Sequence, residues 1–517
     1  MSQPSLHRFN RSAAWIALAC LVVPMFASYY FDDMFSSISY LFEDPSATLL
    51  GWDAAGYGLY ASAYSVLCVF GGLVVCGILL DKWGVRITGS IFVGMMAGGA
   101  GLVTWALLHG GSSSLSLAYA GGMLFGLGSE IAGTAVTRSI AKWFKGGPMA
   151  LAMGLQLAIA RLGTAVALVL SPRLVQQVAD HVHTLPETAR PALMGMALMA
   201  LGLLLWAVFV ALDAKQDRTT TASSVIPKAS SVKPEASSVK PDASSVKPEA
   251  SSVIPSEASV SPGRSSHPSG VRDDSECTGV RDDNECTGVR DDNEAPAATD
   301  TEAFRFSDVL KVLGNRNFWL LGLLCVLFYS SIIAFKKFAG AILIPRFDIP
   351  ASAAGWMVSM LPFSTVVFAP LFGLLVDKTG KGTRWMMLGS VLALTAHLLL
   401  AFAPAGRPFW GYLSMVFLGF GYSLVPAALW PSVPKIVPDK VLGTTFALIY
   451  WVQNLGLLSF KWLAGIILGQ GAVLSFQGPV AVELLFTVLS AAAVVTALLF
   501  ARTSDRHPAL RLDAPNR

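Results

Sequence analysis

Charge is scarce in this chain. Of its 517 residues only 14% are Asp, Glu, Lys or Arg, while 54% are hydrophobic; an average soluble domain is about 25% charged. A globule this apolar could not shield itself from water, so the excess is expected to face lipid. The net charge of +4 is small and spread along the chain, which gives no support for a nucleic-acid partner. Six cysteines are present, Cys20, Cys68, Cys76 and Cys325 in apolar runs and Cys277 and Cys286 in a polar tract. None forms a Cys-x-x-Cys pair or a secreted disulfide pattern, so neither a metal site nor an oxidising compartment is indicated. A nucleotide-binding loop, a nucleophile–base pattern and metal-ligand spacing are all lacking, so neither catalysis nor a cofactor is expected.

Long apolar runs are what the chain has in plenty. A bilayer core of about 30 Å takes about 20 helical residues. Such runs fall at 13–38, 54–80, 87–108, 114–142, 147–172 and 190–212, then at 316–344, 352–376, 385–404, 409–432, 441–469 and 480–501. The Pro and Gly interruptions within them are tolerated in membrane helices. Arg8 and Arg11 followed by an apolar run suggest a signal peptide. The run, however, passes into Tyr29-Tyr30-Phe31 without a clear cleavage site and is read as the first span. The expected fold is an all-α membrane protein of twelve transmembrane helices in two six-helix pseudo-repeats. Residues 1–213 form the first bundle, 214–305 a cytoplasmic linker, and 306–517 the second bundle and tail.

Lys and Arg concentrate in one set of loops, at Lys82 and Arg86, Arg138, Lys142 and Lys145, Lys378, Lys381 and Arg384, and Lys435 and Lys440. The opposite loops are poor in them; 31–53 has none but carries five acids, Asp32 among them. The basic side is expected to be cytoplasmic, with both termini. The linker holds a seven-residue repeat, Ala-Ser-Ser-Val-Lys-Pro-Glu, beginning near Ala222, and a nine-residue repeat, Gly-Val-Arg-Asp-Asp-Asn-Glu-Cys-Thr, beginning near Gly270. Proline in every copy of the first excludes a coiled coil. The second lacks the glycine content of calcium-binding nonapeptides. Both read as solvated spacer.

Between the second and third spans stands Gly77-Ile-Leu-Leu-Asp81-Lys82-Trp-Gly84-Val-Arg86. In the second half, between spans eight and nine, stands Gly373-Leu-Leu-Val-Asp377-Lys378-Thr-Gly380-Lys381, followed by Arg384. The first glycine of each would let helices approach, and the aspartate can ion-pair with a neighbouring helix end. Such a cluster can act as a latch that breaks when the halves rock. Two copies in register match a carrier built from internal repeats. The pattern resembles the major facilitator superfamily over all but the linker and tails.

Two charges lie near the midplane, Glu130 in the fourth span and Arg161 in the fifth. A charge there costs at least ~2.5–3.5 kcal/mol and is normally paired or functional. One reading is a Glu130–Arg161 salt bridge that glues helices. The other is a cavity matched to a zwitterion, with Arg161 gripping a carboxylate and Glu130 accepting from an ammonium; the two could then bond each other in the absence of substrate. The segments Trp143-Phe144-Lys145-Gly, Gly154-Leu-Gln-Leu-Ala-Ile-Ala-Arg161-Leu-Gly, Phe372 to Lys381, Leu418 to Pro431 and Val452-Gln453-Asn454-Leu-Gly456 are similar to the lysosomal dipeptide uniporter branch of that superfamily. The resemblance implies facilitated dipeptide movement, Glu130 near the peptide amino group and Arg161 near its carboxylate. It also matches Asp32 to an acidic position of the branch, the alternative being an exposed loop acid.

Trp430, Gln453 and Asn454 fall where the second half could face the cavity, or could pack helices. Lys336 and Lys337 are unusual in a span; either Lys337 faces the cavity while Lys336 snorkels, or both sit at the outer edge. Tyr57, Tyr60 and Tyr64 at helical spacing read as packing or an interfacial belt, and His397 as structural. Substrate chemistry is thus expected mostly on the first half. Three rival functions are a dipeptide carrier, an organic-anion exchanger or proton-coupled carrier using Arg161 and Glu130, and a non-transporting sensor or scaffold. The partners expected are the small-molecule substrate and the lipid bilayer, and the sequence identifies no accessory protein. The repeat linker is not part of the family pattern; the lack of an acidic dileucine signal near the N-terminus and the absence of an Asn-x-Ser/Thr acceptor in non-cytoplasmic loops favour a cell membrane over a lysosomal one.

Overall fold

The computed structural model describes residues 11–144, 148–175, 182–225, 312–437, 442–473 and 476–506, together with Asp513. The repeat linker and Lys145 lie outside the described residues. Met1–Ala222 and Ala303–Arg517 form one compact unit and Ser223–Glu302 another.

The first half contains α1 (Arg11–Asp33), a 3-10 turn at Ser39–Phe42, α2 (Ala54–Leu67), α3 (Leu73–His109), α4 (Ser114–Trp143), α5 (Met149–Val175) and α6 (Leu185–Val225). The second contains α7 (Arg316–Lys337), α8 (Ala339–Phe347), α9 (Ala351–Thr379), α10 (Gly382–Phe402), α11 (Pro408–Ile436), α12 (Leu442–Gly469) and α13 (Gly478–Arg506). A small antiparallel hairpin, β1 (Ala472–Val473) with β2 (Phe476–Gln477), joins the last two helices. Among the described residues twelve stretches, from Ser12–Asp33 to Gly478–Arg506, are long and apolar enough to cross a membrane. The chain is therefore an all-α membrane protein of six plus six spans.

Helices and spans do not coincide one to one. Gly84 sits inside α3 at φ 75° and ψ 173°, a conformation open to a residue without Cβ, and it parts the second span from the third. Within the second span a π-type turn at Cys68–Gly72 carries Phe70 and Gly71 off the helical path. There Trp451 of α12 donates its indole N–H to the Val69 carbonyl at 2.7 Å. Span seven is two helices, α7 and α8, interrupted at Phe338. Helix α6 runs on to Val225, beyond the expected end at 213. Its polar extension has partners: Asp213 and Asp217 accept ion pairs from Arg86 (3.5 and 2.8 Å) and from Lys142 (2.8 and 2.9 Å), and Trp143 donates to Asp213 at 2.9 Å.

The halves meet along α2 with α12 and α5 with α9. The α2–α12 contact is close enough that a Cβ on Gly58 would lie 2.7 Å from the Gly465 Cα, the small-residue packing expected where apolar surface gives no driving force.

Candidate substrate site and its gate

Backbone proximity sets the two midplane charges. A Cβ on Gly126 would lie 2.1 Å from the Tyr64 carbonyl, so α4 presses onto α2 and brings Glu130 beside the Tyr64 ring. The Tyr64 hydroxyl donates to Glu130 Oε1 at 3.2 Å. A Cβ on Gly163 would lie 2.3 Å from the Phe26 carbonyl, so α5 presses onto α1 and brings Arg161 beside Tyr29. The Arg161 guanidinium lies 5.5 Å from the Tyr29 ring centroid and 5.3 Å from that of Tyr422. It donates from Nη1 to the Tyr422 hydroxyl at 2.9 Å, while its buried Nε has no partner. Cation–π contact of this kind contributes about 0.5–2 kcal/mol, less than a buried carboxylate partner would.

Glu130 and Arg161 do not bridge each other. Among the described residues neither has an opposite charge within 4 Å. Tyr29 and Tyr450 lie within electrostatic reach of both. Each charge is thus held by phenols, and neither has a partner of opposite sign. The helix-gluing salt bridge is not formed; tyrosines contact both side chains instead.

The second half contributes more than the expected closing surface. Tyr422 passes edge-on to Tyr329, with centroids 6.2 Å apart. Trp430 donates to the Tyr329 hydroxyl at 3.2 Å and stacks on Tyr450 at 5.0 Å. This aromatic wall leads from Arg161 along α11 and α12. Gln453 accepts from the Cys325 thiol at 3.4 Å. Asn454 is buried and donates to the Tyr450 carbonyl one turn back at 3.1 Å, while its side-chain oxygen has no partner. The tyrosines of α2 are not an interfacial belt: Tyr57, Tyr60 and Tyr64 line a hollow with Asp32 and Lys337.

One turn from Arg161, Thr164 donates to Asp33 Oδ2 at 2.8 Å. Asp33, only 1% exposed, is also paired with Lys336 at 2.6 Å and Lys337 at 3.0 Å. Lys337 reaches Asp32 Oδ2 at 2.8 Å and the Asp32 carbonyl as well. Asp32 is therefore not a loose loop acid, and the two lysines do not snorkel: they sit at the outer end of span seven, buried against the end of α1. The Tyr57 hydroxyl donates to the Lys337 carbonyl at 2.8 Å. The backbone N–H groups of Gly340 and Ala341 donate to the Ser36 carbonyl and Ser39 Oγ at 3.1 and 3.0 Å. These bonds fasten the end of α1 to the α7–α8 junction and close the end of the cleft opposite Gly84.

At the Gly84 end the arrangement differs. Cβ atoms built on Gly77 and on Gly373 would meet nothing within 4 Å. Neither glycine serves a close helix contact here. Arg86 is bound within its own half, as described above. Gly380 ends α9 at φ 63°, and the Lys381 backbone N–H donates to the Asp513 carbonyl at 2.9 Å. Asp377 is exposed, and the side chain of Asp81 lies outside the described residues. His397 is structural: its Nδ1 lies 2.9 Å from Glu483 Oε2, both fully buried between α10 and α13. Sequence reasoning missed Glu483 and Lys461, although a charge inside a span is the signal that singled out Glu130. Among the described residues no three His, Cys, Asp or Glu converge as metal ligands.

Two six-helix bundles around a buried polar cleft, bolted at one end, define a membrane transporter. The chain belongs to the Major Facilitator Superfamily, whose profile matches residues 8–460. It is similar to the lysosomal dipeptide transporter MFSD1 of Bos taurus, 26% identical over 417 residues, covering 80% of this chain and 70% of that one. To MFSD1 of Danio rerio it is 25% identical over 479 residues, covering 89% and 81%. Among solved structures, a mutant of the nucleoside transporter NupG superposes with a TM-score of 0.63 at 12% identity, covering 94% of this chain and 99% of that one. A mutant of the peptide transporter POT does so at 0.59 and 14%, covering 96% and 95%. These two establish the fold alone.

Proposed function

We propose that this protein moves dipeptides, or zwitterions of similar size, across the membrane by alternating access and without ion coupling. One observation carries the reading: a carboxylate and a guanidinium in adjacent helices lie within reach of the same two tyrosines, each held by phenols and neither paired with an opposite charge. Such a pair complements a substrate bearing an ammonium at one end and a carboxylate at the other, where charge-assisted and bidentate hydrogen bonds are strongest. The similarity to MFSD1, which is named a dipeptide transporter, agrees with this chemistry.

Glu130 binds the substrate ammonium and Arg161 its carboxylate, with Trp430 and Gln453 lining the side of the second half. The bundles 1–213 and 306–517 rock about the cleft. In the state described, the Asp32–Asp33–Lys336–Lys337 gate is shut, while Gly77 and Gly373 of the two latches make no close helix contact. We read the latches and both termini as cytoplasmic from the loop-charge asymmetry, so a shut gate on the other side corresponds to an inward-facing state. We assign the protein to the cell membrane on the lack of an Asn-x-Ser/Thr acceptor in its outer loops; residence in a lysosomal membrane, as the name of the relatives states for them, is the alternative that cell fractionation separates.

The purified protein in proteoliposomes should take up labelled Ala-Ala, and Arg161→Ala and Glu130→Ala should each abolish uptake at unchanged folded yield. Undiminished uptake in both variants would remove the basis for the assignment.

A further inference from the structure

Lys461 of α12 is 2% exposed, yet its ammonium has no acid to pair with. Among the described residues no carboxylate lies within 4 Å of it and it donates no hydrogen bond. Its contact is the face of Tyr64, with Nζ 5.5 Å from the ring centroid. That ring carries the hydroxyl bonded to Glu130, and Lys461 lies within electrostatic reach of Glu130 and of Asp32. The other lysines of the cleft are committed: Asp33 takes both Lys336 and Lys337, and Asp32 takes Lys337. Arg161 is assigned to the substrate carboxylate and Glu130 to its ammonium. Lys461 is then the cation left over, and a plain zwitterion offers it nothing.

We propose that Lys461 binds an acidic side chain on the first residue of the dipeptide, so that the carrier accepts and favours substrates such as Glu-Ala. This inference rests on the dipeptide reading. It follows from the connectivity of the substrate: the first side chain branches from the carbon that bears the ammonium, so with the ammonium held at Glu130 that side chain starts beside the Tyr64–Lys461 pair. The phenyl face holds the ammonium in place by cation–π attraction, and a carboxylate arriving there gains a charge-assisted hydrogen bond.

The test compares Glu-Ala, Ala-Glu and Ala-Ala uptake by the full-length wild type, Lys461→Gln and Lys461→Arg in proteoliposomes, with thermal unfolding as the folding control. Lys461→Gln is expected to lower the Glu-Ala to Ala-Ala ratio of kcat/KM at least tenfold, mainly through KM, and Lys461→Arg to restore most of it. An equal loss on Glu-Ala and Ala-Ala, a loss confined to Ala-Glu, or an unchanged ratio would each overturn the assignment. A wild type that moves Ala-Ala but not Glu-Ala overturns this inference alone. One that moves neither overturns the dipeptide reading with it.

Discussion

Replacing Asp33 with asparagine tests the gate most directly. Asp33 is buried and holds Lys336, Lys337 and Thr164 at 2.6, 3.0 and 2.8 Å. The amide in its place could keep one or two of those bonds but not the charge. Breaking a buried ion pair by removing one partner costs about 3–5 kcal/mol, chiefly because the remaining charge is stranded. Parting the halves at this end would hydrate the stranded lysines, so the penalty falls on the closed state. At 1.4 kcal/mol per tenfold, the closed-to-open ratio should fall by roughly two to three powers of ten. Ser37 is a suitable reporter. It is fully buried beside Gly340 and its hydroxyl has no partner, so Ser37→Cys in a chain stripped of its native cysteines disturbs little. Labelling by a membrane-impermeant thiol reagent then follows the open population when opening is fast, and Asp33→Asn should raise the rate at least about a hundredfold. Adding Lys336→Met, which removes one stranded charge, should bring it back toward the parent. A rate within about twofold of the parent would show that these ion pairs do not hold the face shut.

Three further outcomes follow from the geometry. Tyr64→Phe removes the hydroxyl bonded to Glu130; a hydrogen bond to a charged group contributes about 1.5–3 kcal/mol, so KM for Ala-Ala uptake should rise about tenfold or more. Glu483→Ala strands the fully buried His397 nitrogen and should lower unfolding stability by about 1–3 kcal/mol, read as a lower Tm in detergent with transport per folded molecule retained; a larger loss of transport than of folded protein would contradict a structural role. Asp213→Asn disturbs ion pairs whose basic partners are 41% exposed, where solvent screening limits each to about 0–1 kcal/mol. Uptake should change less than about fivefold, and the difference should shrink further in high salt.

The fold was legible because a bilayer dictates it. Backbone groups in lipid must bond within their own helix, so each crossing declares itself as one long apolar run. Departures arose where something other than lipid decided the helix. The polar end of α6 continues because Arg86 and Lys142 reach it from other helices, and span seven breaks at Phe338 where its end docks on the Ser36–Ser39 turn. Glu130 and Arg161 were visible as charges in apolar surroundings. Their lack of mutual pairing was not, because it depends on Tyr29, Tyr64 and Tyr422, and a tyrosine in a span reads equally as packing or as a hydrogen-bond donor. Asp33 and the Lys336–Lys337 pair were likewise visible as charges, but their contact joins the ends of the two leading spans across some three hundred residues. Spacing along the chain carries no trace of it.

The indole of Trp451, bonded to the Val69 carbonyl at the irregular turn of the second span, has a consequence for how the protein is made. The ribosome delivers the first bundle long before α12 exists, and hydrocarbon offers a carbonyl no substitute donor. The first bundle therefore waits in the membrane without the indole that braces this irregular turn. Co-expressing the halves as separate chains should rescue a first half that is degraded when made alone, and Trp451→Phe should weaken that rescue.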